Sequence, residues 1–211
     1  MASKGKAGVA FEERMIKAKT GLTKKELNIP HTSVHDIPVG IYKSDDGIKE
    51  VNHNVSCKAT QSNTVYCSDI FRFYNETTHD EGVEIVIGRY KQKSKTFYKT
   101  YVFKLNKEHQ KTLWGDIPKD ALEKFNEYVR SIPHGEEAQI ANEQVWKDKR
   151  QKIYDEFSNG CVSIDAKIDK KKQRRVQCSV NINDLLKSGI PYEVYTDEYE
   201  GIPVKYEFTK D

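Results

Sequence analysis

Apolar residues recur along this chain with two different periods, and the changes of period divide it into elements. From Gly8 to about Lys19 the spacing is helical: Val9, Phe11, Met15, Ile16 and Ala18 share one face, bordered by Glu12, Glu13, Arg14 and Lys17, with Gly21 as a stop. A polar stretch over 23–30 leads to an extended run from Ser33 to Tyr42, broken at Pro38, and Ser44-Asp45-Asp46-Gly47 is a turn signal. Val55 and Cys57 alternate with Ser56 and Lys58, which predicts a half-buried central strand over about 51–60. Thr64 to Cys67 favours a strand and 68–74 a short capped helix. The clearest strands are Val83–Tyr90 and Phe97–Leu105, joined by a basic turn over 91–95.

The helical period returns over Asp116–Ile132, where Leu122, Phe125 and Val129 are in phase and Pro118 and Pro133 stand near the ends. A second helix is expected over about 136–157, closed by Asn159-Gly160. Alternation resumes over 161–168 and 176–182, followed by a short turn or helix at Asp184-Leu185-Leu186 and two tyrosine-rich strands near 192–196 and 204–208. These elements predict a mixed α/β fold: a central sheet flanked by helices, with a β-rich C-terminal appendage. The expected organisation is a tail over 1–7, a core over 8–160 and the appendage over 161–211, all in one compact unit.

Composition narrows the picture. Of 211 residues, 36% are hydrophobic and 32% charged, so the core is modest and the surface heavily charged. The net charge of +3 does not by itself identify a nucleic-acid binder, which moves attention to how the charge is distributed. Cys57, Cys67, Cys161 and Cys178 are far apart in alternating apolar runs, as expected of reduced core thiols in a cytoplasmic protein; no paired-ligand spacing suggests zinc. No apolar run approaches the ~20 residues that span a bilayer, and no apolar segment follows the basic start, so neither a membrane partner nor a secretory signal is expected.

Candidate chemistry gathers around Glu12, Asp36 and Lys58. Two carboxylates and a lysine at one sheet edge supply what metal-dependent phosphodiester cleavage needs: hard oxygen ligands for Mg²⁺, an activated water and a positive group near the developing charge. Gly8-Val9-Ala10-Phe11-Glu12, then Asp36, then Val55-Ser56-Cys57-Lys58 resembles the order of elements in the PD-(D/E)xK, restriction-endonuclease-like nucleases. The resemblance covers roughly residues 8–90. It implies that Asp36 is the principal Mg²⁺ ligand, that Lys58 positions or activates the attacking water, and that Glu12 supports the metal or its water. The chain departs from the pattern at Ser56, where the family has Glu or Asp. Either the second metal carboxylate has moved, with Glu50 favoured and Asp69 and Glu84 as alternatives, or a backbone carbonyl and waters complete the shell. Each residue also has a plain structural reading: Glu12 as a first-turn acid, Asp36 as a turn acid, Lys58 as a snorkelling surface lysine. Asp165-Ala166-Lys167 is a competing D-x-K triplet, but no matching helix and hairpin precede it.

The other functional signal is basic. Lys170, Lys171, Lys172, Arg174 and Arg175, flanked by strands, predict a charged hairpin whose lysines neutralise phosphates while arginine and Gln173 or Gln177 reach base edges. Lys91, Lys93 and Lys95 form a second basic turn among tyrosines. The resulting expectation is a Mg²⁺-dependent, restriction-type endonuclease of double-stranded DNA, acting as a homodimer because one centre cuts one strand. The alternative is a non-catalytic nucleic-acid-binding protein using the same basic hairpins.

Overall fold

The computed structural model describes residues 3–29, 35–169 and 173–208. In chain order the first half contains α1 (Ser3–Thr20), α2 (Lys24–Leu27), β1 (Gly40–Ser44), β2 (Gly47–Val51), β3 (Val55–Thr60), β4 (Thr64–Asp69), α3 (Ile70–Thr78), β5 (Val83–Lys91) and β6 (Thr96–Leu105). The second half contains α4 (Gln110–Trp114), α5 (Lys119–Ser131), α6 (Glu136–Glu156), β7 (Val162–Ile168), β8 (Arg174–Asn181), α7 (Ile182–Lys187), β9 (Tyr192–Tyr195), β10 (Glu198–Tyr199), β11 (Ile202–Pro203) and β12 (Tyr206–Glu207).

The fold is mixed α/β. A five-stranded sheet runs in the order β12-β6-β5-β3, with β9 also on β6; β3 and β5 are parallel and the remaining pairs antiparallel. A three-stranded sheet, β4-β8-β7, lies beyond it. The chain crosses from the first sheet to the second between β3 and β4. The C-terminal β-rich part is tied into both: β7 and β8 extend from β4, while β9 and β12 share the outer edge of β6. The expected strand over 51–60 is divided in two: β2 pairs with β1 in a separate hairpin around the Asp45-Asp46 turn, and β3 starts only at Val55.

The alternation of β3 and β5 sends side chains into two cores. Val55, Cys57 and Val86 face α1, where they meet Phe11, Met15 and Ile16. Ile85 and Ile87 face the other way, toward Phe73 of α3, Trp114 and the inner residues of the second sheet. Gly88 of β5 lies directly under Phe11; a Cβ there would sit 2.4 Å from the ring, so only glycine lets α1 settle this close to the sheet. Gly21, at φ +73°, ends α1 in the left-handed region as expected of a helix stop. On the opposite face, Trp114 fixes α3: its indole N–H donates to the buried Thr77 hydroxyl at 3.0 Å, and its ring packs on Phe73 and Tyr74. Among the described residues no helix is long and apolar enough to cross a membrane, and all four cysteines are free thiols.

Candidate active site at the edge of the main sheet

Because β3 is an edge strand, its outer N–H and C=O groups need partners from outside the sheet. The segment before β1 provides them. The Asp36 and Ile37 amides both donate to the Val55 carbonyl, and the Val55 amide donates back to Ile37 at 2.8 Å. One step further along, the ladder changes from backbone to side chain: the Cys57 amide donates to Asp36 Oδ2 at 2.6 Å. A carboxylate is thereby locked against the strand that carries Lys58 on its next residue. Lys58 Nζ lies 3.9 Å from that same oxygen, close enough for attraction but beyond a hydrogen bond. Asp36 Oδ1 takes part in neither contact.

Ionised and polar groups from three helices surround this pair. From α1, Glu12 Oε1 meets Lys24 Nζ of α2 at 2.5 Å. The hydrogen bond it donates to Glu12 holds the Lys24 ammonium above its ordinary pKa, and the Asp36 and Glu13 charges add to the effect. From α3, Glu76 Oε1 lies 3.0 Å from Arg72 Nε and 3.5 Å from His35 Nδ1. Burial raises the Glu76 carboxyl above its usual value; Arg72 and Lys58 oppose the rise and Asp36 adds to it. The His35 imidazole is pushed down by burial and by Arg72. Asp69 orients α3 as its N-cap, accepting from the Phe71 and Arg72 amides at 3.0 and 3.1 Å.

The structure thus brings Asp36 and Lys58 together, with Glu12 close by through Lys24. It also adds Glu76, Arg72, Lys24 and His35, which sequence reading passed over. The spacing of Arg72 and Glu76, four apart behind an Asp cap, was a visible helical pair, but only the packing of α3 across the sheet brings it to Lys58. Other expectations are corrected. Glu50 lines a polar hollow with Lys19 and Glu84. Asp69 is occupied as a helix cap, and Glu84 is buried against Lys19 at 2.8 Å. Ser56 is 4% exposed on the face of β3 that Lys58 shares. In the competing triplet, Asp165 accepts from the Ser179 hydroxyl and pairs with Arg150 at 3.4 Å.

The basic hairpin differs from its expected form as well. Lys170, Lys171 and Lys172 lie outside the described residues. Arg174 does not project: it is 9% exposed, and its guanidinium donates to the carbonyls of Ile132, Pro133, Asp169 and Gln173, closing the end of α5. Arg175 and Gln177 are half-buried on β8, where Gln177 stands between Asp69 and Asp165, and Gln173 is exposed at the turn. In the other basic turn Lys91 and Lys93 are exposed and Lys95 half-buried, with Lys91 5.6 Å above the Tyr98 ring. The neighbouring Tyr90, Phe97 and Tyr101 are core residues.

Mg²⁺ is a test of this acid set. Among the described residues no group of three or more His, Cys, Asp or Glu side chains is placed to hold a metal ion. An all-protein cage would need such a group, but Mg²⁺ characteristically keeps several waters and takes one or two carboxylates plus substrate phosphate. Asp36, anchored by Oδ2 with Oδ1 outside those contacts, fits that second mode. No protein family, no curated protein and no solved structure matches the chain.

Proposed function

We propose that the chain is a Mg²⁺-dependent endodeoxyribonuclease of restriction type, hydrolysing phosphodiester bonds in double-stranded DNA at the Asp36–Lys58 pair. The observation that carries this reading is the 3.9 Å approach of the Lys58 ammonium to a carboxylate already fixed by the Cys57 amide. Asp36 would hold the ion, with Glu12 and Glu76 as the neighbouring acids. A bound Mg²⁺ would supply Lewis-acid stabilisation of the phosphate and a more acidic water. Lys58 orients the attacking water and meets the charge that develops on the phosphate oxygens; Lys24 and Arg72, each already paired with an acid, add positive potential around it. The Ser56 position contributes shape, since its hydroxyl lies buried beneath the site. Double-strand cleavage at a symmetric sequence requires two such centres, hence a homodimer. Reduced cysteines fit a cytoplasmic setting.

The test is plasmid DNA incubated with the protein in Mg²⁺ and in EDTA. Discrete fragments are expected only with Mg²⁺, and Asp36→Asn and Lys58→Met are each expected to slow cutting by on the order of 10²–10³-fold. Intact plasmid under both conditions sinks the hydrolase. A gel shift without cutting favours the second reading, a nucleic-acid-binding protein that grips the backbone with the exposed Lys91 and Lys93 turn.

A further inference from the structure

Next to Lys58, where the chain leaves the first sheet for the second, a hollow of about 340 Å³ opens between the ends of β3 and β4. Its walls include Lys58, Thr60, Gln61, Ser62, Tyr66 and Tyr90. The volume is above the roughly 300 Å³ at which small-molecule pockets begin. The side chain this hollow offers a ligand is Tyr66, 67% exposed on the face of β4 opposite to the core residues Val65 and Cys67.

The rim beside that ring is built in advance. The buried Thr60 hydroxyl donates to the Thr64 carbonyl at 2.9 Å and accepts from the Ser62 amide at 3.1 Å, which fixes the turn between β3 and β4. Arg89 pins the same turn by donating to the Asn63 side-chain oxygen at 3.1 Å. An exposed aromatic face, a polar rim that includes the Gln61 side chain and the Ser62 hydroxyl, and an ammonium at one end match the parts of a nucleotide: a flat π-surface, polar base edges and a phosphate.

We infer that this hollow receives one unpaired nucleobase of a DNA strand, stacked on Tyr66, with the adjoining phosphate directed to Lys58. This rests on the nuclease reading for its substrate class and extends it: the strand is locally opened beside the cut.

The two ideas separate experimentally. Binding of the whole chain to a fluorescein-labelled 12-nucleotide single-stranded DNA is measured in EDTA, so that metal-dependent cutting does not intervene. The same oligonucleotide with abasic positions and a fully paired duplex serve as comparisons. Tyr66→Ala is expected to weaken single-strand binding by about 5- to 150-fold, the range for removing one aromatic stacking platform, while Tyr66→Phe stays within about twofold. The native chain should bind the abasic oligonucleotide as weakly as Tyr66→Ala binds the normal one. Because Tyr66 is an exposed side chain, both variants should unfold at the native midpoint, which urea denaturation checks. Equal binding by native protein and Tyr66→Ala, indifference to abasic sites, or no binding of the oligonucleotide each overturns the base pocket. Absence of Mg²⁺-dependent plasmid cutting removes the hydrolase and leaves a Tyr66-dependent binding result standing.

Discussion

Two lysine–carboxylate pairs lie on this sheet, and they are built to opposite specifications. Lys19 and Glu84 meet at 2.8 Å with both side chains only 9% exposed. Glu200 joins Lys19 at 2.9 Å, the Tyr199 hydroxyl approaches Glu84 at 3.4 Å, and the Tyr199 ring lies under the ammonium. Burial works against the charge on Lys19, and the Tyr199 oxygen and Glu84 carboxylate more than offset it, leaving the ammonium well above its ordinary pKa. Lys58 and Asp36 stand 3.9 Å apart, are 19% and 24% exposed, and share no hydrogen bond with each other. The first pair has its bonds satisfied by the protein and joins α1 to the C-terminal strands. The second has its carboxylate anchored and its cation held slightly back, a gap that stability alone gives no reason to keep. A site that must receive a ligand has to leave some interaction energy unspent in the resting fold.

The largest expected effect tests this contrast directly. Lys19→Met should destabilise the protein by about 3–5 kcal/mol, because it leaves the Glu84 carboxylate buried without its cation. Lys58→Met should cost less than about 1 kcal/mol, as for a loose, partly exposed pair. Urea unfolding midpoints of the two variants decide the matter. If Lys58→Met costs as much as Lys19→Met, the edge pair is structural and the contrast collapses. Replacing both members of the buried pair, Lys19→Met with Glu84→Leu, should recover much of the loss, since no unpaired charge remains.

Sequence made the edge site legible only where local pattern and function coincide. Alternation placed Lys58 on a strand, and the order helix–acid–strand lysine put Asp36 in play; both meet in the fold. Glu76 escaped because its role depends on α3 crossing the sheet, an outcome of Trp114 packing that no period in residues 70–78 encodes. α4 itself, five residues long, is too short to show periodicity. Glu50 and Arg174 mark the opposite limit. An acid near the motif in sequence was carried by the β1–β2 hairpin to the hollow of Lys19 and Glu84, and an arginine in a basic run was drawn inward by four carbonyls. A charged residue's place in the chain does not fix its exposure when orphan carbonyls at a helix end need donors. The same limit applies at the C-terminus, where two-residue strands such as β12 are set by their partner β6 and by Phe97 and Phe208 packing on each other.

A smaller effect sharpens the contrast from the side of α3, whose Glu76 feels the charges of Lys58 and Asp36. Asp69→Ala removes the acceptor for the Phe71 and Arg72 amides and should cost about 1 kcal/mol. If α3 supports the edge site as its geometry suggests, this variant should also lower cutting while leaving the Lys19–Glu84 pair intact. Unchanged cutting with the full stability loss would confine Asp69 to capping.

The finest test uses pH on Glu76, whose carboxyl burial raises above the ordinary 4.5. The folded chain therefore holds this proton more tightly than the unfolded chain does. Between 4.5 and the raised folded value the native state binds more protons, so this group's contribution to stability falls as pH rises. His35 works in the opposite sense: its folded pKa lies below 6.5, so stability is lost as pH falls below that value. Glu76→Gln removes the first contribution and keeps the second. Stability measured from pH 4 upward should then rise more steeply toward neutrality in the variant than in the native chain. Parallel curves would mean that Arg72 and Lys58 keep Glu76 ionised throughout, and that the open site is held as firmly by charge as the closed one.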